Sequence, residues 1–361
     1  MNTTVEVLGF ASELSWQLWA VQYFFLIGIS TAAFFLSLPG MVWRLPQWRG
    51  VSRRALLVAL VCGLTAPVAL LADLHQPGRF LNFYLHSNFG SWMAWGAYFI
   101  PLYLLGLLLY AWLSLRPLMA ALAERGERPA AFYRTLAYGG HDNIGAIRAA
   151  AIVAALGAVL VLLYTGMETM VVRARPLWHT PLLPVLLAVT AFAGGLGMTG
   201  LFEALAGKTR SAPLLNRWQE LSQWASLATL SAWTVLVLTG SSAAANETLG
   251  AMRGSSGWLL TIAALFATTV LALWLSRTRR DALIAPALLA LLGAWLVRWV
   301  IFLGGQSIPK LGATSHAYFL SLTADNLLSI MGTAGLCLAL YIALTSLVPW
   351  DDPAEARGDQ S

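Results

Sequence analysis

Charge is scarce in this chain. Of 361 residues, 11% are Asp, Glu, Lys or Arg, against roughly 25% in a soluble domain. That scarcity excludes an ordinary soluble globular protein. Cysteine is scarcer still, with Cys62 and Cys337 only, each inside an apolar run. Two such thiols can neither build a disulfide framework nor supply the four thiolates of an iron–sulfur cluster. Histidine is limited to His75, His86, His141, His179 and His316, all at segment ends or in loops. A haem in a helical bundle needs axial ligands projecting into the bundle core, so no haem is expected, and metal spacings of the H-x-x-E-H or C-x-x-C kind are absent. The net charge of +6 comes without a basic stripe interleaved with aromatics, which argues against nucleic acid.

What is abundant is apolar surface: 58% of residues are hydrophobic. They fall in runs of the roughly 20 residues that cross a bilayer as helix, and helix is required because lipid cannot satisfy a free backbone. The predicted fold is therefore all-α, a polytopic membrane bundle of about nine spans. These are Trp16–Trp43, Ala55–Ala72, Ser91–Leu113, Ala149–Val172, Leu177–Ala206, Leu221–Gly240, Gly257–Ser276, Ala282–Leu303 and Asn326–Val348. One bundle domain over 1–350 and a polar tail over 351–361 are expected. The first residues lack a basic stretch and a cleavage site, so no removable signal is expected.

Lys and Arg gather on one side of this arrangement. Arg44, Arg49, Arg53 and Arg54 follow the first span; Arg116, Arg125, Arg128, Arg134 and Arg148 follow the third. Lys208, Arg210 and Arg217 follow the fifth, and Arg277, Arg279 and Arg280 the seventh. The positive-inside bias puts these loops and the C-terminus in the cytoplasm and the N-terminus outside. His141 and Asp142 lie in the longest of these loops and read as solvated.

With that orientation, the unusual polar residues converge on the outer leaflet. Asp73, His75, Gln76 and Arg79 surround the Pro77-Gly78 turn after span two. Asp73 faces the negative end of the helix dipole and needs a cation, for which Arg79 is the nearest candidate. A structural Asp–Arg staple and a site remain equal alternatives there. His75 changes charge near neutral pH and suits a proton carrier. Tyr164, Glu168 and Arg175 share one face if span four stays helical, as an interfacial pair or as a site. Arg298 lies inside span eight, where an arginine costs several kcal/mol and normally faces the bundle with a partner. Gly304-Gly305-Gln306 follows, permitting close backbone approach and an irregular helix end. Span one opens outside with Trp16, Gln17 and Gln22, and Trp95 opens span three.

In order along the chain, "LADLHQPGRF", "SWMAWGAY", "LYTGMETMVVRARPLW" and "LVRWVIFLGGQSIP" resemble the NrfD/PsrC family of polysulfide-reductase-type membrane subunits. Within it, "LSWQLWAVQYFFLIGIS", the Leu-His-Gln form of the second motif, Glu168 and "IPKLGA" are similar to the tetrathionate reductase branch. The resemblance implies a quinol-oxidising membrane anchor in a bacterial inner membrane, using menaquinol or a similar quinol, with no haem or iron–sulfur cluster of its own. It implies a periplasmic ferredoxin-like iron–sulfur partner and, through it, a molybdopterin catalytic subunit. The family's motif positions fall on Asp73 and Arg79, Tyr164 and Arg175, and Arg298 and Gln306. His75, Asp73 and Glu168 are then expected to handle protons, and Gln17, Arg79, Trp95, Tyr164, Arg175, Arg298 and Gln306 to hold the ring. Two rivals stand beside this reading. A secondary transporter would favour midplane ionisable groups, and a purely structural anchor would use its outer polar residues to bind a partner.

Overall fold

The computed structural model describes residues 16–74, 76–124, 130–139, 141–173, 175, 177–239, 246, 249–250, 252–253, 255–307, 323–348 and 350. All secondary structure among them is helical. The long helices are α1 (Leu18–Met41), α2 (Arg49–Asp73), α4 (Trp92–Glu124), α6 (Ile144–Met170), α7 (Leu182–Leu205), α8 (Ala212–Leu238), α9 (Ser256–Thr278), α10 (Ile284–Trp299) and α11 (Ala324–Leu347). Short helices α3 (Asn82–Leu85) and α5 (Ala130–Leu136) sit in the connections. Among the described residues, eight helices are long and apolar enough to cross a membrane. The chain is a multi-pass membrane protein. α8 is long and packs in the bundle against α7 and α9, but its first turns hold Asn216, Arg217, Gln219 and Glu220 and it is not one of the eight.

Several ends differ from the sequence expectation. α2 starts at Arg49, ahead of Ala55, and stops at Asp73, one residue past Ala72; α4 runs eleven residues beyond Leu113, through Pro117, to Glu124. Hydropathy marks the lipid-length stretch, whereas the hydrogen-bonded run continues into polar sequence at the surface. α2 ends at Asp73 because Leu74 is already extended, ahead of the turn that begins at Pro77.

α1 is the axis of the bundle, with most of its residues buried against α2 and α7. Close helix approach depends on small residues. A methyl on Gly106 would lie 2.8 Å from the backbone of Ala154, and one on Gly157 would lie 2.6 Å from the backbone of Tyr103, which locks α4 against α6.

α10 does not end cleanly. It passes into a wider π turn over Val300–Gly304 and then one further turn, Gly305–Ser307. Side chains serve its carbonyls: Trp178 Nε1 donates to Ile301 O at 2.6 Å and Gln306 Nε2 to Phe302 O at 2.9 Å. The indole of Trp178 occupies the place of a Gly305 side chain, its Nε1 overlapping the position a Cβ would take. The irregular end read from Gly304-Gly305 is present.

Candidate functional site

Two adjoining hollows occupy the end of the bundle where α1 begins and α2 and α6 end. The inner one, about 490 Å³, is walled by Trp16, Ala20, Tyr23 and Phe24 of the first helix region. Pro67, Leu70, Leu71, Asp73 and Leu74 line it from the α2 side, Met93 to Leu105 from α4, and Tyr164 and Glu168 from α6. The outer one, about 550 Å³, is lined by Trp16, Ser91, Met93, Glu168, Arg175, Trp178 and Gln306, among others. Trp16, Met93 and Glu168 belong to both.

The inner cavity is apolar with a few polar atoms aimed into it, the usual character of a small-molecule site. Glu168 is buried and its Oε2 has no hydrogen-bond partner; the buried Tyr23 Oη has none either. An unsatisfied carboxylate oxygen at membrane depth is costly, which makes Glu168 a candidate site residue. Tyr164, one turn before Glu168, lies on the same helix face. Its ring fits against α4 only because residue 96 is glycine: a Cβ there would overlap Tyr164 Cζ. Pro67 and Pro101 both lie in the wall. Each lacks an N–H, so the carbonyls of Gly63 and Ala97 lose their usual helical partner beside the cavity. Leu71 and Leu105, 40% and 67% exposed, lead from this wall to the lipid-facing surface.

The outer hollow is built by aromatic stacking. Trp16 stacks on Trp178, with centroids 5.3 Å apart and planes 24° apart, and touches Phe302 and Phe24. Gln306 clamps the start of α1: its Oε1 accepts from Trp16 N at 3.1 Å and its Nε2 donates to Trp16 O at 2.8 Å. Arg175 Nη1 donates to Gln306 O at 2.8 Å, and its guanidinium lies over Trp178, 5.7 Å from the ring. Partial burial pulls the pKa of Arg175 below the usual guanidinium value.

Of the residues singled out in the sequence, Asp73, Tyr164, Glu168, Arg175 and Gln306 line these hollows. Arg175 arrives by a route other than the continuous helix face, because α6 ends at Met170. Arg79 lines a neighbouring exposed hollow of about 540 Å³ with Gln76, Asn82, His86 and Met93. His75, and the segment 308–322 that holds "IPKLGA", lie outside the described residues.

Four candidates are placed elsewhere. Gln17 precedes α1 and lies in neither lining. Gln22 bridges helices, donating to Thr333 Oγ1 and accepting from Trp295 Nε1, each at 3.1 Å. Trp95 is 40% exposed and donates to Phe89 O. Arg298 is 2% exposed and points between α1 and α7, where Nη1 meets Thr190 Oγ1 at 2.6 Å and Nη2 meets Leu187 O at 2.7 Å. Among the described residues no carboxylate pairs with it; the expected partner is a hydroxyl and two carbonyls. Tyr23 and Trp178 were missed as site residues. Tyr23 was legible, since Trp16, Ala20 and Tyr23 repeat at helical spacing and so share a face, from which Gln17 is turned by about 100°.

The sequence profile described as "Polysulphide reductase, NrfD" matches residues 6–310. The chain belongs to the NrfD family. It is 34% identical over 345 residues, 94% of each chain, to a tetrathionate reductase subunit of Salmonella typhimurium. It is 24% identical over 387 residues to a selenate reductase subunit of Mesobacillus selenatarsenatis, covering 97% of this chain and 89% of that one. Both stretches that build the inner wall, at Asp73 and at Tyr164–Glu168, fall inside the NrfD match.

Proposed function

We propose that this NrfD subunit anchors a reductase complex in a bacterial inner membrane and oxidises a quinol in the inner cavity. The observation that carries the reading is Glu168, buried, with an unpartnered oxygen, and shared by the inner cavity and the outer hollow. A hydroquinone presents two acidic hydroxyls on a flat apolar ring. The cavity supplies apolar walls, Tyr23 and Tyr164 hydroxyls to orient the ring, and an opening past Leu105 for an apolar tail.

Oxidation of one quinol releases two protons and two electrons and leaves the quinone. Glu168 takes a proton from the inner side and releases it to the outer hollow, where Arg175 favours the carboxylate that is restored. Asp73, with His75 two residues on, serves the second hydroxyl. The electrons leave to an iron–sulfur partner docked over this end of the bundle, which feeds a molybdopterin subunit. The names of the relatives support a sulfur or selenium oxyanion as terminal acceptor, tetrathionate first; the donor proposed is menaquinol. The arginine-rich loops at the other end support placing the cavity on the outer side of the membrane.

Glu168→Gln keeps the shape and removes the proton acceptor. It is expected to lower quinol oxidation by the purified complex about 10²- to 10⁴-fold, the usual range for a general base, while the subunits still co-purify. Full turnover in this variant would refute the site. Loss of co-purification with turnover intact in the residual complex would favour a purely structural anchor.

A further inference from the structure

α6 ends at Met170, two residues past Glu168, and its last carbonyls need partners from outside the helix. The chain that follows serves two of them: Val171 N donates to Met167 O at 3.1 Å and Val172 N to Thr169 O at 3.0 Å. Met170 O is met by a side chain nine residues on, His179 Nδ1, at 3.0 Å. A carbonyl only accepts, so Nδ1 carries the proton of this bond and the neutral ring leaves Nε2 bare. Histidine near a helix C-terminus is well suited to this task.

His179 belongs to a tight turn, in which Trp178 N and His179 N both donate to Arg175 O at 3.1 Å. Three side chains attach that turn to its surroundings. Arg175 Nη1 reaches Gln306 O at 2.8 Å and Trp178 Nε1 reaches Ile301 O at 2.6 Å, both on the irregular end of α10. His179 reaches the other way, to the end of α6. Glu168, on the last turn of α6, lines the outer hollow together with Arg175, Trp178 and Gln306. His179 lines neither hollow and is exposed, so its ring fills no core.

We propose that His179 is a positioning residue for quinol oxidation: its bond to Met170 O sets the spacing between Glu168 on α6 and the Arg175–Trp178 turn held on α10. This rests on the quinol reading, in which Arg175 favours the carboxylate that Glu168 restores on releasing its proton. A drift of about 1 Å in such a group costs up to about 10²-fold in rate. His179 lies outside the lining of the inner cavity, so the loss falls on kcat and not on KM.

The test compares His179→Ala, His179→Asn and His179→Gln in the assembled complex. Asparagine places its amide nitrogen where Nδ1 stands, one bond beyond Cγ, and glutamine moves it a bond farther out. The Ala and Gln variants are expected to lower kcat about tenfold at unchanged KM, and Asn to return it to within about twofold. All three should co-purify with their partners, because an exposed side chain is replaced. Limited trypsin digestion of the same samples, mapped by mass spectrometry, gives a readout apart from turnover. Cleavage after the exposed Arg173, in the same connection, should quicken in Ala and Gln but not in Asn. Wild-type kcat in the Ala variant, or equal loss in all three, overturns the proposal. Asn-specific protection from trypsin with turnover unchanged throughout also overturns it, leaving His179 a structural clip. Full turnover in Glu168→Gln refutes the quinol reading instead, whatever the His179 variants do.

Discussion

Gly96 shows how a single residue sets the site. Its missing side chain is the space occupied by the Tyr164 ring. Gly96→Ala gains at most about 1 kcal/mol of helix propensity and drives a methyl group into that ring. Quinol oxidation by the complex is expected to fall by at least about tenfold, because a 1 Å misplacement of a positioning group costs up to about 10²-fold. Adding Tyr164→Ala should restore the unfolding temperature without restoring turnover, since the clash is gone and so is the hydroxyl. Steady-state kinetics beside thermal unfolding separates the two. Arg298 is decided at this scale as well. An arginine at that depth was readable as important, but its role depends on where the guanidinium points, and it points at Thr190 and the Leu187 carbonyl. Thr190→Val takes one acceptor from a buried charge and is expected to lower stability by about 1.5–3 kcal/mol, with the quinol KM unchanged. A raised KM at unchanged stability would instead return Arg298 to the quinol site.

Among the elements, the end of α10 matters most. Its π turn frees carbonyls that an ordinary helix would satisfy, and such turns recur at functional sites. Here Trp178 and Gln306 supply the donors, and the same two side chains fix Trp16 at the mouth of the cavity. Trp178→Phe keeps a ring against Trp16 and removes the N–H to Ile301 O. It should destabilise the protein by about 1–3 kcal/mol, the cost of an orphaned buried acceptor, read as a lower unfolding temperature in detergent. The glycine pair was readable as a point of close approach. That an indole would fill it was not, because the partner lies 123 residues away along the chain.

For the molecule as a whole, the two ends of the bundle carry different groups. One end carries Glu168, Asp73, Arg175 and the stacked aromatics; the other carries Arg44, Arg49 and Arg53 and the buried Arg54–Glu203 pair, 3.4 Å apart. Ser211 Oγ donates to the second oxygen of Glu203 at 2.5 Å, so that carboxylate is held within its own cluster. Glu203→Ala strips a buried guanidinium of its counter-charge and is expected to cost about 3–5 kcal/mol. Quinol oxidation per assembled complex should be unaffected, measured on the fraction that survives purification.

Composition and spacing alone determined that this chain is a helical membrane protein, which loops carry the positive charge, and which end collects the polar residues. Those properties are sums over local sequence: apolar run length against bilayer thickness, and arginine placement between runs. The motif stretches also placed the chain in its family. Only the packed structure separated Glu168, Tyr164, Asp73, Arg175 and Gln306, which share the hollows, from Gln17, Trp95 and Arg298, which do not. That division depends on helix rotation, on where α6 stops and on which ring fills the gap at each glycine. These are set by contacts between segments tens to hundreds of residues apart, for which a local pattern carries no signal.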